Sequence, residues 1–195
     1  MDPRIPRLRR KPAAIPFQPL RSHSFGEEQH KFSPGPKLAE ARVAAFEAEH
    51  NIVLPDAYRQ FLTHIGGSGA APFYGLRPLE QCSLLVMNPR REQGTPRSFT
   101  SAAPGADERD LFLPIIEMGC TDICVLAVTG PLTGRVLIGN RDGYWGPNVS
   151  SATDFLDWYE RWLNHMSAGR DNRALELTSP RLHAHPNRCR MAPKI

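Results

Sequence analysis

The stretch Leu54–Leu79, LPDAYRQFLTHIGGSGAAPFYGLRPL, decides how the chain folds. Tyr58, Phe61, Leu62 and Ile65 fall at i, i+3, i+4 and i+7, one apolar stripe on a short helix. Pro55 suits the first helical position, where its missing N–H would be unpaired anyway. Gly66 and Gly67 then read as the stop, because glycine takes a left-handed C-terminal position without a Cβ penalty. Upstream, Leu38–His50 places Ala39, Val43 and Phe46 on one face and Glu40, Glu47 and Glu49 elsewhere, so a second helix precedes a tight Asn51–Leu54 elbow. Two such helices bury their stripes against each other and a further layer.

The later sequence supplies that layer. LFLPIIEM from Leu111, Thr121–Val128 and Gly134–Gly139 are β-rich runs separated by Gly119, Thr129-Gly130-Pro131 and Asn140-Arg141-Asp142-Gly143. Asp-Gly and Gly-Pro are turn chemistry, which predicts an antiparallel meander. Ile123–Val128 is apolar nearly throughout, as a strand shielded on both faces would be. Phe73–Leu79 and Cys82–Met87 read as a strand with a short following element, and Asn88–Asp110, rich in Pro and Gly, as a long surface loop. The last element is Asp154–Met166. Thr153 can cap it, Asp154 and Asp157 suit its dipole, and Phe155, Tyr159, Trp162, Leu163 and Met166 make its stripe, which reads as core. The predicted class is therefore α+β, helices packed on a twisted, mostly antiparallel sheet.

With 195 residues, the expected organisation is a disordered Pro/Arg-rich arm (1–37), one domain (38–166) and a disordered basic tail (167–195). The formal charge of +4 averages unlike parts. Residues 1–37 hold eight Lys/Arg against three acids, and 167–195 six against two, whereas 38–166 hold ten against fifteen. An acidic body thus carries basic flanks. No run approaches the ~18 apolar residues of a membrane span, and Arg7-Leu8-Arg9-Arg10-Lys11 is followed by Pro12-Ala13-Ala14-Ile15-Pro16 rather than an apolar signal segment, so the expected location is the cytoplasm. Scattered Arg without interleaved aromatics does not make a nucleic-acid site.

Catalytic chemistry finds little support. Gly66-Gly67-Ser68-Gly69 lacks a Gly two places after Ser, where Ala70 stands, and a helix precedes it where a nucleophile elbow needs a strand. A phosphate-cradling loop needs a helix beginning after the glycines, not ending before them. His50 and His64 stand at helix ends, an ordinary place for histidine. Cys82, Cys120, Cys124 and Cys189 lack zinc-ligand spacing and read as small hydrophobes. No enzyme, cofactor or metal site is predicted, although folding could still assemble one from distant carboxylates.

The order Leu54-Pro55-Asp56-Ala57-Tyr58-Arg59-Gln60-Phe61-Leu62, Gly66-Gly67, Tyr74-Gly75-Leu76-Arg77-Pro78-Leu79, Leu113-Pro114-Ile115, Asp122–Val128, Gly134-Arg135-Val136 and Asp154-Phe155-Leu156-Asp157-Trp158-Tyr159 resembles the SUKH superfamily of fungal cell-wall-assembly regulators and their bacterial relatives. Where that family usually has Asn before the glycine pair, Ile65 stands here. The resemblance covers 38–166 and implies the same α+β fold. It also implies a non-enzymatic immunity protein that binds and neutralises a cognate polymorphic toxin, often a nuclease or other intracellular enzyme. The alternative it implies is a regulatory scaffold whose free tails recruit partners.

An acidic body suits a basic toxin, since opposed charge raises association rates by roughly 10–10³-fold. The expected partner-binding residues are Asp107, Glu108 and Asp110 on the long loop, Asp142 in a turn, and the aromatics Tyr74, Tyr144 and Trp145. Trp145 and Asp142 lead, because a large ring in Gly143-Tyr144-Trp145-Gly146-Pro147 is easier to explain as contact than as core. No small-molecule substrate, nucleic acid or membrane is expected as a partner.

Overall fold

The computed structural model describes residues 1–17, 23–88, 97–102 and 110–170. Among them are five α-helices, α1 (Ile5–Ala14), α2 (Glu27–His30), α3 (Glu40–His50), α4 (Asp56–His64) and α5 (Phe155–Ser167). Six strands, β1 (Leu85–Met87), β2 (Phe99–Ser101), β3 (Leu111–Gly119), β4 (Asp122–Ala127), β5 (Val136–Asn140) and β6 (Asn148–Val149), form one sheet in the order β2-β1-β3-β4-β5-β6. Every pairing is antiparallel. The fold is α+β, as the periodicities require.

The core is continuous from helices to sheet. Tyr58, Phe61 and Leu62 of α4 are buried with Phe155, Tyr159, Trp162, Leu163 and Met166 of α5, and with Leu113, Ile115, Cys124 and Leu126 of the sheet. Aromatic edges do much of the packing: Phe61 stands 5.0 Å from Phe155 and 4.7 Å from Tyr159, both edge-on. The opposite side of the sheet is also buried. Leu85, Phe99, Phe112, Ile123, Val125, Ala127 and Leu137 form a second cluster there, so the uninterrupted apolar run in β4 is covered on both faces. Its cover is the sheet's own curl. A Cβ placed on Gly139 of β5 would lie 3.0 Å from the ring of Phe99, on β2 at the far edge, and one on Gly143 would lie 3.2 Å from Ser98.

The N-terminal expectation needs correction. The described residues of the expected arm, 1–17 and 23–37, are built into the domain: residues 5–14 are helical, and Ile5, Leu8 and Ile15 are buried in the main core. α1 lies against α4 and α5. Pro3, Pro6, Pro12 and Pro16 mask the pattern in sequence, yet Pro6 stands in the first turn, where proline is tolerated. Farther on, Phe32 is buried, stacked on Trp162 at 5.9 Å, and Pro34 bridges Gly69. The second tail cannot be compared in the same way, because residues 171–195 lie outside the described residues.

Several local readings change their physical cause. Pro55 caps α4 from outside, with extended ψ, and its carbonyl accepts from the N–H groups of Tyr58 and Arg59. Gly66 and Gly67 do follow the end of α4, but neither takes a positive φ. They are small because residues 34–38 pass directly over them: a Cβ on Gly66 would lie 2.7 Å from the Gly35 carbonyl oxygen, and one on Gly67 2.7 Å from Leu38 Cγ. Phe73–Leu79 is not a strand; Leu76 makes only isolated bridges to Gly69 and Ile116. The loop expected over Asn88–Asp110 contains β2. At α5 the cap is Asp154, whose carboxylate accepts from Asp157 N–H (2.8 Å), while the Asp157 carboxylate accepts from Thr153 N–H (2.9 Å).

Candidate functional site

β5 ends at Asn140, a buried polar residue that organises the turn leaving the sheet. Its side-chain N–H₂ donates to Thr121 Oγ1 (2.8 Å) and Asp122 Oδ1 (2.7 Å), and its Oδ1 accepts from the backbone N–H of Asp142 (2.9 Å) and Tyr144 (3.3 Å). Asp122 also accepts from Trp145 Nε1 at 2.9 Å. Two side chains thus fix a turn of seven residues to the β3–β4 hairpin below it. The consequences for the two rings differ. Trp145 is half-buried and anchors the turn, whereas Tyr144 projects with 66% of its surface exposed. Asp142 is exposed and forms no ion pair among the described residues.

Tyr74 joins the same end of the sheet. Its ring lies edge-on to Phe25 at 5.1 Å and passes over the hairpin, where a Cβ on Gly119 would meet Tyr74 Cε2 at 3.8 Å. Between Tyr74 and the turn, Glu117 accepts from both Arg77 and Arg141, the latter at 2.8 Å. Two guanidinium groups share that one carboxylate, and Asp142, which forms no ion pair among the described residues, stands beside Arg141 as the unpaired acid of the patch. Cys120, at the tip of the hairpin, is exposed.

The structure therefore brings Tyr74, Asp142, Tyr144 and Trp145 to one end of the sheet. Asp110 does not join them. It is exposed just before β3, whose nine residues, at about 3.3 Å each, place it roughly 30 Å along the strand from the hairpin. Asp107 and Glu108 lie outside the described residues. Sequence reasoning missed Asn140 and Asp122, the supports of the turn; the signal for Asn140 was an amide immediately before Arg-Asp-Gly, in a strand otherwise apolar.

A concavity of about 870 Å³ opens elsewhere, where the α3–α4 elbow faces the β4–β5 turn. Val53 stands on its rim, and Glu47, Asp56, Arg59 and Thr133 line it. Arg59 is tied to Glu40 and Glu47, and Glu47 Oε1 also accepts from Leu54 N–H at 2.9 Å. Arg59 is thus shared by two carboxylates, and Asp56 accepts from Gln60 Nε2 (2.6 Å). Among the described residues no group of three or more His, Cys, Asp or Glu is placed to hold a metal ion. Burial pushes the Cys82 thiol up to about 12, which suits an inert buried thiol rather than a nucleophile. No helix among the described residues is long and apolar enough to cross a membrane.

Fold and surface together define a helix-on-sheet domain that presents, among the described residues, an aromatic turn braced by Asn140 and Asp122. The SMI1 / KNR4 family (SUKH-1) model matches residues 37–158, and the chain belongs to that family. No curated protein and no solved structure gives a significant match. Membership fits the immunity and regulatory roles of the family as a class, which work through protein contacts and are generally without catalysis.

Proposed function

We propose that this chain is an immunity-type protein of the cytoplasm that binds a cognate polymorphic toxin, an intracellularly acting enzyme such as a nuclease, and neutralises it by direct contact through the sheet end. The observation that carries this reading is Tyr144, held in solvent on a turn fixed from beneath by Asn140 and from beside by the Trp145–Asp122 bond. A turn whose backbone is already fixed loses little freedom on contact, and tyrosine is among the residues that dominate interface energies. Asp142 supplies a local charge for a basic partner.

The whole-body charge argument narrows here. Part of the acidity of residues 38–166 is answered within the chain, because Arg4, Arg7 and Lys11 sit on Asp154 and Glu160. The body's excess of acid is thereby reduced but not cancelled. The scaffold alternative also loses ground, since it drew on two free tails and residues 5–15 are docked.

The full chain, used as bait in its native host, should recover an enzyme whose activity falls on binding. Tyr144→Ala should weaken that complex by about 10- to 100-fold. Asp142→Ala should slow association a few-fold at low salt, with unfolding unchanged in both variants. Wild-type affinity in both would discard the sheet end; recovery of no such enzyme would discard the immunity reading.

A further inference from the structure

α1 is a helix that its surroundings must hold together. It has ten residues, carries Pro12 in its interior and has no side-chain cap at its start, so it would not persist in isolation. Its seat is the face made by α4 and α5. Ile5, Leu8 and Ile15 are buried there to 2% exposure or less. Cations flank that apolar row. Both Arg4 guanidinium NH₂ groups donate to Asp154 (2.9 and 2.7 Å), Arg7 forks onto Glu160 (2.8 and 2.7 Å), and Lys11 reaches Glu160 and Asn164. The backbone N–H of Asp2 donates to the side-chain oxygen of Gln60 on α4. On the outer side Arg9 and Arg10 are exposed.

The arrangement is helix-in-groove recognition within one chain: an apolar stripe in an apolar groove, with basic groups matched to an acidic row. The family match divides the seat, leaving Glu160 and Asn164 beyond its end. α4 and the beginning of α5, Asp154 included, lie within the residues matched to the family, whereas α1 lies before them. We propose that the α4–α5 face is a docking site for a basic amphipathic helix, that α1 fills it in cis, and that a partner's helix of the same pattern takes the site by displacing α1. This surface is separate from the sheet end, and the proposal stands whether or not that end binds a toxin.

The test uses the full chain and a fluorescent peptide of residues 1–17. Arg7→Glu with Leu8→Glu loosens α1 in cis; the peptide should bind this variant at least ten-fold more tightly than it binds the unaltered chain. Adding Glu160→Arg should abolish that gain, and a peptide carrying Arg7→Glu should restore it. Absence of binding to the loosened chain, or equal binding to both chains, overturns the proposal. Hydrogen exchange on the unaltered protein decides the matter if the variant does not fold. The amides of α1 should exchange at least ten-fold faster than those around Trp162, and faster still in high salt. Exchange of α1 and α5 together at one rate would make α1 fixed core and end the proposal.

Discussion

The two faces of the sheet are closed by opposite means. On one, helices bring large rings into the core: Trp162 is fully buried, stacked on Phe32 and packed against Tyr159 at 5.4 Å. On the other, among the described residues, no helix contributes to the buried cluster; the sheet bends until Phe99 of β2 reaches Gly139 of β5. One face depends on volume supplied and the other on volume withheld. The first should therefore be sensitive to truncation and the second to enlargement.

The largest expected effect follows from the first half of that contrast. Trp162→Ala should cost about 3–5 kcal/mol in chemical denaturation, as large-to-small changes in tight cores do. A loss under 1 kcal/mol would mean that the helical layer repacks freely. The second half is tested by Gly139→Val, which should cost about 1–3 kcal/mol through crowding of Phe99 and of Pro147, whose Cα lies 3.4 Å from the position of a Cβ. Stability equal to wild type would show that the curl opens without penalty.

Two tyrosines sharpen the comparison within the helical layer. Tyr159 donates its hydroxyl to the Ala70 carbonyl at 2.9 Å, so Tyr159→Phe should cost about 1–2 kcal/mol. The buried Tyr58 hydroxyl has no hydrogen-bond partner among the described residues, and Tyr58→Phe should change stability by less than about 0.5 kcal/mol or raise it. Equal losses at both positions would refute the distinction.

Acid should act more gently, and on the helical side. The Arg4 hydrogen bond holds the Asp2 carboxyl at about 2, and the Arg7 hydrogen bond holds Glu160 below its ordinary range. Both groups stabilise the fold fully above their unfolded values, and that contribution is lost as pH falls through the folded ones. Burial likewise holds His30 below its ordinary 6.5, so stability begins to decline just under that pH, where the unfolded chain takes up the proton first. Denaturation midpoints should fall steadily from pH 7 towards pH 3, and α1 amides should lose protection before those of β4. A flat profile over that range would remove these groups from the account.

Much of this architecture was legible because burial imposes a period. The stripes of α4 and α5 and the dense run in β4 need no tertiary information. α1 escaped because four prolines and five basic residues surround Ile5, Leu8 and Ile15, and only the acidic seat on α5, some 150 residues later, gives the cations a reason to fold. β2 escaped because Phe99-Thr100-Ser101 is too short to show alternation. At the candidate site the turn was readable from Asp-Gly, but the division of labour between Tyr144 and Trp145 was not. It is set by Asp122, 23 residues upstream of the indole it binds. The glycine pair taught a related lesson: its position after the helix was visible, while its purpose depends on a segment crossing from residues 34–38.

The family match stops at residue 158, inside α5, and that has a practical side. A fragment trimmed to those limits would discard Tyr159, Trp162, Leu163 and Met166 at one terminus and Ile5, Leu8 and Phe32 at the other. Anyone cloning this protein for fusion, display or crystallisation should keep residues 2–167 whole, since shorter cuts expose greasy surface and invite inclusion bodies.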